Sequence, residues 1–292
     1  IPLKNVPYWG LDDDGIGYIR INRFSKNSDK DFKQGLEELS ENGLKSLIID
    51  LRGNSGGLLS TAINILDNLT NRGDDLLSQK GKTSRSNREW KSRRNPILSP
   101  EIPLIILINR RSASASEIVA GAVQDLDRGL IIGETSFGKG LVQRQLGLRD
   151  GSAIRVTIAR YYTPSGRLIQ RHFEDGNTRE YYSELYNKDR EALIDSLKEL
   201  RPKYKTRAGR VVYGGGGITP DEYIPYELNL NKETQKIVGN QNRPIFNWST
   251  KFVSEFGDSL GAFENFKETW NINDEDYTDF LNYLIKLEIN SD

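Results

Sequence analysis

Three small hydroxyl residues alternate with alanine in R-R-S-A-S-A-S-E-I-V, Arg110–Val119, between the apolar run Ile102–Ile108 and an apolar helical pattern. That spacing places a serine at a strand-to-helix turn. Such a turn exposes the side-chain oxygen while the first free amides of the helix point at whatever approaches, which suits a nucleophile that generates an oxyanion. Downstream, G-E-T-S-F-G-K-G-L-V-Q over 133–143 sets Lys139 between Gly138 and Gly140, with little bulk to shield it. A lysine accepts a proton from serine only where burial or nearby positive potential favours its neutral form. Phe137, Leu141 and Val142 could supply such surroundings. The pair reads as a serine nucleophile with a lysine base.

Other chemistries fit these residues less well. Gly133 to Lys139 spells G-x-x-x-x-G-K after a strand, as in a phosphate loop, but Gly140 stands where a serine or threonine must reach the metal. The single histidine, His172, would have to serve any Ser-His-Asp triad, and its setting in R-H-F-E-D-G reads as surface. One histidine and no cysteine leave no ordinary zinc ligand set, no disulfide and no thiolate nucleophile. Basic and acidic residues, 41 of each, cancel, so the totals imply no basic face for nucleic acid. No apolar run reaches membrane-spanning length and no signal peptide is recognisable. Methionine is absent, so the chain reads as a mature or excised piece of something longer.

The elements that must position these residues alternate between strand and helix. Strands are predicted at 17–22, 46–51, 103–108, 130–133 and 153–159, and helices at 29–42, 58–69 and 116–126. Residues 79–95 are basic and polar and read as an exposed strand and loop. The pattern argues for an α/β layer with helices over a largely parallel sheet. After Gln170 the chain turns charged and tyrosine-rich, with a helix predicted at 189–200 and a flexible run at Gly214–Gly217. Residues 231–292 carry helical spacings. The organisation expected is a core of 1–170 and 211–230, an insertion at 171–210 and a helical C-terminal appendage.

D-L-R-G-N-S-G-G (50–57), S-A-S-A-S-E-I-V-A-G-A-V-Q-D (112–125), G-E-T-S-F-G-K-G-L-V-Q (133–143), D-G-S-A-I-R-V-T-I-A-R-Y-Y-T-P-S-G-R-L-I-Q (150–170) and G-I-T-P-D (217–221) together resemble the carboxyl-terminal processing proteases. These are tail-specific serine peptidases of family S41. The resemblance spans about 3–230 and implies a crotonase-like α/β core, a Ser/Lys mechanism, polypeptide substrates and no metal or organic cofactor. Position by position, it makes Ser114 the nucleophile, Lys139 the base and Gln143 the group that orients the lysine. It matches Asp125 to an acidic position important in some members. It also implies an oxyanion hole from the amides of Ala115 and of Gly56 or Gly57, where glycine permits close approach to a carbonyl. Ser112 and Ser116 read as capping or packing residues, and Asp50 with Arg52 as a structural pair.

Members of that family usually carry a PDZ domain ahead of the core, and no PDZ-like loop is recognisable in 1–30. The insertion is open to three roles: lid, contact in a homo-oligomer, or solvated padding. Export to a bacterial periplasm or cell envelope is expected from the resemblance. The rival reading is a non-catalytic ligand- or peptide-binding module on the same fold, and a nucleotide binder ranks third.

Overall fold

The computed structural model describes residues 4–173, 178–187, 189–225, 230–262, 266 and 269–289. The chain divides into two compact units, Ile1–Tyr226 and Glu227–Asp292.

The first unit is built on runs of β-branched and leucine residues that are covered on both faces, as a parallel sheet requires. In β3 (Ser46–Asp50) and β6 (Leu104–Ile108), Leu47, Ile49, Leu104, Ile106 and Ile108 are buried, and the residues between them are mostly half-covered. With β1 (Tyr8–Leu11), β2 (Ile16–Arg20), β7 (Leu130–Gly133) and β12 (Glu222–Tyr223) they form a six-stranded sheet in the order β1-β2-β3-β6-β7-β12. Only the β1–β2 pair is antiparallel. Helix α1 (Ser28–Glu41) buries Phe32, Leu36 and Leu39, and α2 (Leu59–Leu66) buries Ala62, Ile63, Ile65 and Leu66. The second helix ends earlier than its apolar pattern predicts, because Asn68 and Leu69 close tighter bonds to Ile65 and Leu66. Helix α3 (Ala115–Asp125) is buried along its whole length, which its small residues allow.

A separate antiparallel sheet has the order β5-β4-β9-β8, from β4 (Asp75–Gly81), β5 (Arg88–Lys91), β8 (Leu141–Gly147) and β9 (Ala153–Tyr162). The polar stretch around residue 80 is thus a hairpin whose first strand is anchored by buried Leu76 and Leu77. Strand β8 has no apolar alternation to announce it.

The segment after β9 folds as α4 (Thr178–Ser183), a single 3₁₀ turn, α5 (Arg190–Ser196) and a hairpin of β10 (Lys203–Lys205) with β11 (Val211–Tyr213). Helix α5 is shorter than the predicted 189–200, its end tightening into a 3₁₀ turn at Lys198–Leu200. The glycines expected to be flexible are tied down: Gly214, Gly215 and Gly217 donate to Pro202, Leu168 and Ile169 carbonyls at 2.9, 2.7 and 2.8 Å.

In the second unit, α6 (Lys232–Val238), α7 (Pro244–Leu260) and α8 (Asp274–Lys286) gather around aromatic rings. Trp248 lies 5.3 Å from both Phe252 and Phe280, and its indole donates to Asp279 at 2.8 Å.

Candidate active site

Strand β3 delivers a buried carboxylate to the start of a glycine turn. Asp50 accepts from Tyr18 and Arg20 at 2.6 Å each and from the Arg52 side chain at 3.0 and 2.8 Å. Burial alone would push its carboxyl up, but these donors hold it below the ordinary aspartate range. The Asp50–Arg52 pair therefore fixes the turn 52–57. Buried Asn54 links this turn to the serine run: its carbonyl accepts the Ala113 amide at 3.0 Å and the Ser116 hydroxyl at 2.8 Å. Ser112 donates to the Leu51 carbonyl at 2.8 Å and accepts the Asn109 amide at 3.0 Å. Ser112 and Ser116 are fully buried and satisfied by backbone, whereas Ser114 between them is half-buried.

Ser114 sits at the N-terminus of α3 with φ 55° and ψ −110°, a conformation that costs a non-glycine residue free energy. Gly56 presses against it. A Cβ on Gly56 would stand 2.9 Å from the Ser114 Cβ and 2.6 Å from the Ala113 carbonyl, and one on Gly57 would meet the Phe24 carbonyl at 1.9 Å. The Gly56 amide donates to Asn54 Oδ1 at 2.9 Å. Among the described residues, the amides of Gly57 and Ala115 have no protein acceptor.

The lysine loop is joined to this turn by a residue absent from the sequence expectations, Glu117. Fully buried, it accepts the Ser114 and Lys139 amides on Oε2, each at 2.8 Å, and the Ser136 hydroxyl and Gly138 amide on Oε1 at 2.5 and 2.6 Å. One carboxylate oxygen thus holds the backbone of both Ser114 and Lys139. Burial pushes this carboxyl above the ordinary range, against four hydrogen bonds that favour its charged form. The signal for it was present as S-A-S-E, Ser114 to Glu117, the spacing of a capping box.

The loop is also gripped from outside. Arg190, 1% exposed, donates to the Thr135 and Ser136 carbonyls at 2.8 and 2.9 Å, and Glu191 accepts the Thr135 amide and hydroxyl at 3.1 and 2.8 Å. Arg110, ion-paired with Glu134, reaches the Leu185 carbonyl at 3.2 Å. A cleft of about 660 Å³ opens beside Lys139, bounded by Ser55, Ala113, Phe137, Leu141, Gln143 and Tyr181, among others.

Two of the expected site residues are placed differently. Gln143 lies on β8 and is an exposed part of the cleft wall with no hydrogen bond to Lys139. Asp125 lies at the far end of α3, about 16 Å from Ser114 by helical rise. There it forms a fully buried pair with Arg167 at 2.8 Å and accepts the Ser165 amide at 3.0 Å, so it belongs to the packing rather than the cleft. No hydrogen bond joins the Ser114 hydroxyl to the Lys139 amine. Among the described residues no cluster of ligand-type side chains could hold a metal, and no helix is long and apolar enough to cross a membrane.

Residues 15–178 match the model of peptidase family S41. The chain belongs to that family. It is 42% identical over 151 residues to a chloroplastic C-terminal processing peptidase of Tetradesmus obliquus, covering 52% of this chain and 32% of that protein. It is also 42% identical over 174 residues to a carboxy-terminal-processing protease of Bartonella bacilliformis, covering 58% of this chain and 39% of the relative. Among solved structures, a photosystem II D1 C-terminal processing protease aligns with a TM-score of 0.54 and 30% identity, over 77% of this chain and 49% of the other. The chain thus spans well under half the length of these two curated relatives.

Proposed function

We propose that this S41 chain is a serine-type endopeptidase that cleaves polypeptides at or near their C-termini with a Ser114/Lys139 dyad, on a core of the crotonase-like class. The observation that carries this reading is Glu117 Oε2, which holds the amides of Ser114 and Lys139 at 2.8 Å each and so brings a strained, half-buried serine beside the lysine loop. Ser114 Oγ attacks the peptide carbonyl carbon while its proton passes to the Lys139 amine. The carbonyl electron pair moves onto oxygen, facing the Ala115 and Gly57 amides. Gly57 is preferred over Gly56 because the Gly56 amide is already committed to Asn54. Collapse expels the amine leaving group, which takes the proton from Lys139. Water then attacks the acyl-serine, giving a proton to Lys139, which passes it to Ser114 Oγ as the acyl C–O bond breaks and the new C-terminal acid leaves.

Gln143 stands on the cleft wall where substrate or a closing water could bring it to the lysine. Residues 1–170 and 211–230 form the catalytic core in this reading, 231–292 an appendage, and the protein works outside the cytoplasm, as in the periplasm. The relatives named for C-terminal processing support the substrate class. The test is hydrolysis of an unfolded protein and of its C-terminal peptide: Ser114→Ala and Lys139→Ala should each lose about 10⁴-fold or more in turnover with an unchanged melting point. Near-normal turnover in Ser114→Ala would mean that another group is the nucleophile, and no turnover in the wild type would leave the binding-module reading in possession.

A further inference from the structure

The cleft beside Lys139, at about 660 Å³, is far larger than the side chain of alanine or glycine needs. Its outer wall comes from the segment after Gln170 and is aromatic. Phe137 meets Tyr181 and Tyr182 with ring centres 6.0 and 6.1 Å apart, the two tyrosines lie 5.4 Å from one another, and Phe173 lies 5.2 Å from Tyr181. This wall is fixed from behind. The Arg171 guanidinium stands 3.9 Å from the centre of the Tyr181 ring and donates to the Tyr181 carbonyl at 2.7 Å. Leu141 and Leu185 complete the apolar lining.

Tyr182 and Phe173 are nevertheless 52% and 44% exposed, so apolar surface faces the cleft uncovered. A substrate side chain that covered those rings would gain the transfer free energy of its own apolar surface and of theirs. The charged groups at the rim sharpen the choice. Arg110 is compensated by Glu134, whereas Arg111 is exposed and has no ion-pair partner among the described residues. A basic side chain entering here would meet a like charge and lose water as well.

We propose that this cleft is a specificity pocket that selects a large apolar or aromatic side chain beside the scissile bond, with Tyr182 and Phe173 as its specificity-determining residues. The proposal rests on the peptidase reading above. It assigns the 171–210 segment a part in substrate choice.

Four peptides, identical but for Phe, Leu, Ala or Lys at one position in a Gly/Ser-rich frame, test it with the cleavage site read by mass spectrometry. Cleavage should fall next to the varied residue, with kcat/KM for Phe and Leu on the order of 10- to 100-fold above Ala, and Lys below Ala. In Tyr182→Ala and in Phe173→Ala the Phe-to-Ala ratio should shrink severalfold; a ratio is blind to a general loss of folded enzyme. Equal cleavage of Phe and Ala peptides by the wild type, or an unchanged ratio in both variants, overturns the pocket. If the wild type cleaves neither these peptides nor an unfolded protein, it is the peptidase reading that fails.

Discussion

The two halves of the site are held in opposite ways. The serine side is fixed from within the sheet: Asp50, Asn54, Ser112 and Ser116 are buried, and each is bonded to backbone of the strand ends or of the glycine turn. The lysine side is a loop between β7 and β8, and its carbonyls at Thr135 and Ser136 are met by an arginine from α5, far along the chain. Glu117 ties the halves together at the backbone of Ser114 and Lys139. The proposed nucleophile is therefore placed by the core, whereas the placing of the proposed base depends on a separate piece of chain. Loss of one of these four buried groups, unlike loss of the Ser114 hydroxyl, should loosen the turn and destabilise the core with it. Loss of a lysine-side group should leave a folded protein with a misplaced base.

Glu117→Gln is the most direct way to break the link. An amide keeps the shape but offers one oxygen where two accepted, so two of the four donors would face an NH₂ group. Turnover should fall about 10²-fold with little change in KM, since small misplacements of reacting groups have effects of that size. The stability change should be about 1–3 kcal/mol for the orphaned donors. An unchanged kcat with a lowered melting point would make Glu117 a packing residue only. The burial that pushes its carboxyl up also has a sign: an acid whose pKa is higher folded than unfolded favours folding most below the unfolded value, and loses that contribution as pH rises through the folded one. Glu117→Gln should accordingly flatten the decline of wild-type stability with rising pH.

Arg190 sharpens the comparison from the other side. Arg190→Ala leaves two buried carbonyls without donors and strands Glu191 beside them, so the loop should loosen while the parallel sheet stays intact. A loss of about tenfold in kcat is expected, with a fall of about 3 kcal/mol in stability. Arg190→Lys should restore part of it, because one ammonium can replace one of two fork contacts. Full activity in Arg190→Ala would detach the base from the insertion.

These two positions also mark what the sequence could and could not disclose. The serine side lies in short contiguous motifs, so turn, strand end and helix start are written side by side, and the alternation of apolar strands with helices makes the α/β layer readable. Arg190 and Glu191 meet Thr135 only through the fold, and in a charged stretch they look like any solvated pair. Strand β8 is missing from the periodicity because Q-R-Q is exposed, so the strand that carries Gln143 is not predicted. Asp125 was drawn to the site by resemblance alone. Helical rise moves it away, and a buried arginine explains its burial.

Asp125→Asn separates those two accounts. Breaking a pair in which both side chains are fully buried should cost about 3–5 kcal/mol, while kcat per folded molecule stays within about twofold. A loss of several orders of magnitude in kcat at an unchanged melting point would return Asp125 to the chemistry.

The smallest effect is expected at His172, and it bears on the base itself. The residue is exposed, and it lines a cavity of about 510 Å³ that shares Tyr181 with the Lys139 cleft but includes neither Lys139 nor Ala113. That cavity takes no part of its lining from the serine run or from Lys139, so His172→Ala should keep kcat/KM within about twofold of wild type, the scale of an ordinary surface change. The pH profile carries a second reading. Were His172 the base, the inflection it gave to kcat/KM would vanish in the variant along with the activity. With lysine as base the two profiles should superimpose. A well-folded His172→Ala that lost activity by orders of magnitude would mean that the serine is activated from the Tyr181 side, and the lysine loop with its Arg190 grip would then be scaffolding.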